Sequence, residues 1–103
     1  LYNFLNDDKA EQHYLKTIQL QPQEIYPRLN LSNHYIRLLK FKKAKEVLDE
    51  LIRADLVSKE VYNNQGIVFK GLDDNSRAEE MFKKALEIDP SFTLAQKNLD
   101  SLN

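Results

Sequence analysis

Side chains able to do acid–base, nucleophilic or metal chemistry are scattered rather than clustered in this sequence. The two histidines, His13 and His34, lie far apart, and there is no cysteine, so no metal-ligand spacing is present. Neighbouring carboxylates such as Glu79 and Glu80 precede Lys83 and Lys84 at i,i+4 spacing, which is typical of a charged helix surface. Neither a glycine-rich phosphate loop nor a nucleophile motif occurs. We therefore expect no enzyme activity, no cofactor and no metal ion.

Asparagine supplies the one regular pattern of polar side chains. Asn30, Asn64 and Asn98 follow one another at the same interval along the sequence. Asn is a mediocre helix residue, so its recurrence at one point of successive helices indicates a shared role. A side-chain amide can both donate to and accept from the backbone of an extended peptide. The alternative is that these amides bond within or between the helices of the protein itself, and the sequence leaves both roles open.

The elements that must position these amides are clearest between Lys59 and Pro90. Apolar residues recur there at helical spacing on both sides of a break at residues 71–75, which predicts two antiparallel helices. Gly71 is expected to end the first helix in a left-handed conformation, and Asp73 or Asp74 to cap the second. Pro90 prevents the second helix from continuing.

Gly66 indicates how the two helices pack. In a helix interior Gly costs about 1 kcal/mol relative to Ala, so some packing advantage must offset it. We expect Gly66 to face Ala78 or Ala85 across a close helix contact, with Phe69 and Phe82 filling the space on either side.

This segment resembles a tetratricopeptide repeat. The family signature places an aromatic residue, a Gly four residues later and a second aromatic three further on, followed in the second helix by Ala, a large apolar residue, Ala and a closing Pro. The residues that match are Tyr62, Gly66, Phe69, Ala78, Phe82, Ala85 and Pro90. Gln65 departs from the pattern, because the family usually has Leu there.

The same pattern recurs in register along the chain. Residues 25–58 form a degenerate repeat, with Ser32 in place of Gly66 and Leu51 in place of Ala85. Residues 1–24 resemble the second half of a repeat, whose helix Asn6 or Asp7 would cap after the stub of a preceding helix. Residues 59–92 are the best-matched repeat, and residues 93–103 are expected to form a capping helix.

The resemblance implies an all-α fold, a right-handed superhelix (tetratricopeptide solenoid) of about six antiparallel-stacked helices in a single domain, residues 1–103. Because the sequence begins at Leu1 rather than Met, we expect a fragment with about two full repeats and partial flanking ones. The first helix of each repeat should line a concave groove.

One family function can be tested on this groove. Chaperone-binding members hold a C-terminal carboxylate with two Asn and three basic residues. The two Asn positions fall on Asn33 and Asn64, but the basic positions fall on Leu29, Leu94 and Asn98, which cannot supply the charge. The carboxylate clamp is therefore disfavoured.

The predicted groove is instead rather apolar, which suits an apolar or amphipathic peptide or helix. Ile36 and Leu94 add to its apolar lining. The predicted peptide-binding residues are Tyr26, Leu29, Asn30, Asn33, Arg37, Asn64, Ile67, Lys70 and Asn98.

These features predict a protein–protein interaction module, acting as a scaffold or adaptor. The alternatives are a self-assembling segment that joins parts of a larger protein and a non-catalytic appendage of an enzyme. A net charge of −1 gives no reason to expect nucleic acid, and although 42% of residues are hydrophobic, no run is long enough to insert in a membrane. The truncated N-terminal edge could pair with a second copy of the chain. The compartment is left open, with the cytoplasm as the default expectation.

Overall fold

The computed structural model describes residues 4–102, which form six α-helices and no strand in that part of the chain. The helices are α1 (Phe4–Leu20), α2 (Ile25–Arg37), α3 (Phe41–Arg53), α4 (Lys59–Gly71), α5 (Asn75–Ile88) and α6 (Thr93–Asp100). Each helix packs against the next, and α4 also contacts both α2 and α6. This is the all-α repeat solenoid that the sequence predicts, with α2, α4 and α6 in one row.

Equivalent positions of the two central repeats are buried together. Ala44 and Ala78, which share one position of the repeat, are both fully enclosed, as are Leu48 and Phe82 one helical turn later. Fully burying a side chain of this size stabilises the fold by about 1.5–3 kcal/mol. Among residues 4–102, no helix combines the length and the apolar character needed to cross a membrane.

Gly66 is confirmed as a point of close helix approach, although its neighbour differs from the one expected. A Cβ atom added to Gly66 would lie 2.5 Å from the Phe82 ring. The aromatic ring, rather than Ala78 or Ala85, therefore occupies the space that Gly66 leaves. This ring contact accounts for a glycine in the interior of α4.

The expectation for Gly71 is wrong. Gly71 is the last residue of α4 and does not have a positive φ; the left-handed residue of this turn is Asp73, with φ 63°. A Cβ at Gly71 would instead lie 2.6 Å from the Phe41 ring, so Gly71 serves packing. Asp74 caps α5 as expected, because its carboxylate accepts a hydrogen bond from the Arg77 N–H at 3.2 Å.

The predicted start of the first described helix is also wrong. Helix α1 begins at Phe4 and runs through Asn6 and Asp7, so neither residue caps it. Residues 4–9 contain no Gly or Pro, and Asn and Asp cost only a few tenths of a kcal/mol within a helix, so nothing there forces a break. The rest of the expected stub, residues 1–3, lies outside the described part of the chain.

Gln65, the departure from the family pattern, is accommodated by a polar contact. Its Nε2 donates to Asp49 Oδ1 on α3 at 2.6 Å. Asp49 also pairs with Lys45 at 2.8 Å. A buried amide thus connects the two central repeats at a position where the family usually places an apolar side chain.

The end of the 59–92 repeat is held by an ion pair. Lys59 Nζ, at the start of α4, donates to Asp89 Oδ2, just after α5, at 2.6 Å. This hydrogen bond, together with those from the Ser91 hydroxyl and N–H, lowers the pKa of the Asp89 carboxyl to about 2. The two ends of the helix pair are therefore tied together while Asp89 is ionised.

Candidate peptide-binding groove

Asn64 is the central polar side chain of the row formed by α2, α4 and α6. It is nearly buried, and its Nδ2 donates to two acceptors on α2, Ser32 Oγ at 3.1 Å and Asn33 Oδ1 at 2.7 Å. Ser32 Oγ in turn donates to the Leu29 carbonyl at 2.7 Å. The amide thus joins α4 to α2 through a connected set of hydrogen bonds.

Asn98 also makes a side-chain hydrogen bond to the neighbouring helix of the row. Its Nδ2 donates to Asn63 Oδ1 on α4 at 3.0 Å. Asn64 and Asn98 therefore bond between repeats, which is one of the two roles that the sequence leaves open. Asn30 shares their register on α2 and is exposed.

The hydrogen bonds between the helices leave some donor and acceptor atoms of these amides available to a ligand. Both amide protons of Asn64 are used, so what it retains is the acceptor Oδ1. Asn33 accepts through Oδ1 and retains its Nδ2 protons as donors. Together the two amides offer one acceptor and one donor, the combination that an extended peptide backbone requires.

Asn33 and Asn64 line the same cavity, of about 190 Å³. Its apolar wall includes Leu94, which is 52% exposed, and Leu29, which is buried. The complete lining consists of Leu29, Asn33, Glu60, Asn63, Asn64, Phe92 and Leu94. The cavity lies where α2, α4 and the start of α6 meet.

Glu60 is the charged member of this lining, and the sequence analysis missed it. Tyr26, Glu60 and Leu94 occupy the same position in successive repeats, so the register that selected Tyr26 and Leu94 could also have found Glu60. A carboxylate here repels a peptide C-terminus. The structure therefore adds a second physical reason, besides the missing basic residues, against a carboxylate clamp.

The other predicted groove residues lie outside this cavity. Ile67 and Lys70 line a separate hollow of about 380 Å³ near the α2–α3 turn. Tyr26 is exposed and lines an open depression at the α1–α2 turn. Arg37 contacts His34, with 3.2 Å between Arg37 Nη2 and His34 Nδ1. The predicted groove residues therefore do not form one site but lie at several places along the solenoid.

Neither histidine belongs to a metal site in the described part of the chain. His13 is exposed, whereas His34 is buried with its ring 5.7 Å from that of Tyr14. Residues 8–102, whose side chains the structure describes, contain no group of three or more His, Cys, Asp or Glu side chains arranged to hold a metal ion.

Comparison with known proteins places this fold in one class. Residues 59–92 match a family model described as tetratricopeptide repeat. The chain is 33% identical over 98 residues to the "Heat shock protein STI1" of Saccharomyces cerevisiae (strain ATCC 204508 / S288c). That alignment covers 93% of this chain but 16% of the yeast protein, so the chain spans a small part of its relative.

Two solved structures share the fold. The first TPR domain of the human RPAP3 protein, determined by NMR, superposes with a TM-score of 0.87 at 22% identity, covering 93% of this chain and 76% of that one. MamA 41-end from Desulfovibrio magneticus RS-1 superposes with a TM-score of 0.82 at 19% identity, covering 95% of this chain and 55% of that one.

The stacked helix pairs define an all-α repeat solenoid. Residues 59–92 are a tetratricopeptide repeat, and the chain has the fold of tetratricopeptide repeat domains. Such repeats generally mediate protein–protein interactions and are typically non-catalytic.

Proposed function

We propose that this chain is an interaction module that holds an extended segment of a partner protein in the groove lined by α2, α4 and α6. The observation that carries the proposal is the pairing of Asn33 and Asn64 at one cavity, with a donor and an acceptor remaining beside apolar walls. A backbone N–H of the segment would donate to Asn64 Oδ1, and a backbone carbonyl would accept from Asn33 Nδ2.

The size of the cavity favours a peptide over a small molecule. At about 190 Å³ it is smaller than the roughly 300–1,000 Å³ of typical small-molecule pockets. One apolar side chain of the segment would insert between Phe92 and Leu94, while its backbone continues along the groove.

Glu60 gives the groove a charge preference. Its carboxylate favours a Lys or Arg side chain in the bound segment and disfavours a terminal carboxylate or an acidic residue. The proposed ligand is therefore an internal segment that combines an apolar residue with a basic one.

The groove is proposed to belong to a single domain, residues 1–103, with repeats at 25–58 and 59–92 and partial units at 1–24 and 93–103. Helix pair α2–α3 lies within the first repeat and pair α4–α5 within the second, which supports these boundaries.

Selection of random peptides of about ten residues by phage display tests the proposal. We expect the selected sequences to share an apolar residue near a Lys or Arg, without dependence on a free C-terminus. Leu94→Glu should remove their binding, because it places a charge on the exposed apolar wall. Leu29 is unsuitable for this purpose, since it is only 6% exposed and its substitution would test folding.

Matched variants make the result specific. Gln96→Glu introduces the same charge on an exposed position of α6 that does not line the cavity, so it should leave binding unchanged. Glu60→Lys should shift the selected sequences toward acidic residues. The proposal fails if Leu94→Glu and Asn33→Ala both bind the selected peptides as the parent does. A self-assembly role would instead give a concentration-dependent oligomer in light scattering that these variants do not alter.

A further inference from the structure

The α2–α3 turn exposes a second apolar surface, distinct from the cavity at Asn64. Leu39 is 73% exposed, and the neighbouring Phe41 ring is half-buried. Two hollows, of about 440 and 380 Å³, meet at these two side chains. We call this surface the Leu39 patch; its lining is Ile36, Leu39, Lys40, Phe41, Lys42, Lys43, Ile67, Lys70, Gly71 and Leu72.

The charged residues that line the Leu39 patch are all lysines. Lys40, Lys42 and Lys43 lie on the α3 side, and Lys70 lies at the end of α4. The patch therefore has an apolar centre and a positive rim. None of its residues lines the cavity that contains Asn64 and Glu60.

The equivalent turn of the next repeat shows that the fold does not require this composition. Leu39 and Asp73 occupy the same position in the two central repeats and have nearly the same backbone, with φ 61° and 63°. A left-handed conformation suits Asp or Asn and is unusual for a bulky residue such as Leu. Leu39 therefore occupies a position where its own backbone disfavours it and where solvent surrounds its side chain.

Lys40 and the residues after it are equally ill-suited to their positions. Asp74, the counterpart of Lys40, caps α5 through its carboxylate, whereas the N-cap position at Lys40 has no side-chain cap hydrogen bond. Lys42 and Lys43 then place positive charge in the first turn of α3, where the helix dipole favours negative charge. An apolar residue and three cations thus occupy positions where a polar or acidic residue would make the fold more stable.

We propose that the Leu39 patch is a docking surface for an amphipathic helix of a partner protein, with acidic residues flanking its apolar face. Charge complementarity selects this occupant, because the apolar face would cover Leu39 and Phe41 while carboxylates would reach the lysine rim. The net charge of −1 supplies no overall attraction of the chain to an anionic membrane. The carboxylates of a bound helix, in contrast, would interact with the lysines of the patch and not with the charge of the whole chain.

A fluorescein-labelled peptide of about 16 residues, roughly four helical turns, is the probe. It carries Leu and Phe on one face and Glu on the flanks; a second peptide replaces every Glu by Lys. Fluorescence anisotropy should show binding of the acidic peptide, weakened about ten-fold or more by charge reversal and by added salt.

Leu39→Asn separates binding from stability. Asn tolerates the left-handed backbone, so the midpoint of thermal unfolding should be unchanged or higher. Binding of the acidic peptide should nevertheless weaken about ten-fold, because the exposed apolar side chain is lost. Lys42→Glu should also weaken binding, whereas Lys97→Glu, the same change on α6, should not.

Each of the following results would overturn the proposal. The two peptides bind equally, or Leu39→Asn leaves binding of the acidic peptide unchanged. Vesicles containing anionic phospholipid, rather than the acidic peptide, bind in a Leu39-dependent manner, or light scattering shows a dimer that Leu39→Asn dissociates. Leu94→Glu should leave acidic-peptide binding intact, so failure here and failure of the groove proposal are distinguishable.

Discussion

Replacing Gly66 by Ala should destabilise the protein, although Ala is the better helix former. The added Cβ would lie 2.5, 2.6 and 2.9 Å from three atoms of the Phe82 ring, which is fully buried, so the ring can move only by displacing other core side chains. Overpacking of this kind costs about 1–3 kcal/mol, and the gain in helix propensity is about 1 kcal/mol. Because all three distances are below 3.0 Å, the upper part of that overpacking range, about 2–3 kcal/mol, applies, and we expect a net loss of about 1–2 kcal/mol in the free energy of unfolding.

Gly71→Ala is the matched control, because both glycines are helical and both face a Phe ring. A Cβ at Gly71 would lie 2.6 Å from the Phe41 ring, but Gly71 is exposed and Phe41 is half-buried. The Phe41 ring can therefore move toward solvent. We expect this variant to range from unchanged to more stable by about 1 kcal/mol.

Urea unfolding followed by far-ultraviolet circular dichroism measures both variants against the parent. If the buried Phe82 ring cannot move away, Gly66→Ala loses stability whereas Gly71→Ala does not. A Gly66→Ala protein as stable as the parent or more stable would refute this expectation. In that case the Phe82 ring would have to repack at little cost within a fully enclosed core.

Two further substitutions probe the polar contacts between helices. Asn64→Ala removes two hydrogen bonds and leaves the buried Ser32 hydroxyl without its donor, so we expect a loss of about 2 kcal/mol in urea unfolding; an unchanged unfolding midpoint would contradict these bonds. Asp89→Asn weakens the contact with Lys59. Because the pKa of Asp89 is lowered from 3.8 to about 2, its carboxylate stabilises the folded state above about pH 4. That contribution is lost as the pH falls toward 2, so the free energies of unfolding of Asp89→Asn and the parent should approach each other there. A difference in unfolding free energy that does not change with pH would contradict the ion pair.

The repeat fold was predictable because packing constraints recur at one period. Ala44 and Ala78 are small where helices come close, and the larger Leu48 and Phe82 follow at the same interval. Such size patterns are read directly from the sequence. The position of Gly66 likewise predicted close packing, although the sequence could not tell which side chain of the facing helix would fill the space.

Turn conformation and helix starts were less predictable. Gly71 is the residue that most readily adopts a positive φ, yet Asp73 does so, because the helix continues through Gly71 while the Phe41 ring packs on it. Asn6 and Asp7 are good caps, but a cap forms only where the chain changes direction. These outcomes depend on contacts made by other helices, which local sequence does not encode.

The candidate site was found in part, because register identifies a row of positions without showing which of them share a cavity. Asn33 and Asn64 lie at one cavity, whereas Ile67 and Lys70 lie at another and Tyr26 at neither. Asn33 and Ile67, for example, share the same register but line different cavities. Glu60 shares the register of Tyr26 and Leu94, but register alone does not show that its carboxylate lines the cavity.

The hydrogen bonds that hold the helices together also restrict what the proposed groove can recognise. The fold uses both donors of Asn64, so the atoms it leaves for a ligand, together with the carboxylate of Glu60, are mainly acceptors. A segment rich in N–H groups and cations suits them. The lysines of the Leu39 patch favour the opposite charge. Under these two proposals, each surface repels the ligand of the other. One small solenoid can therefore bind two different segments, each at its own surface.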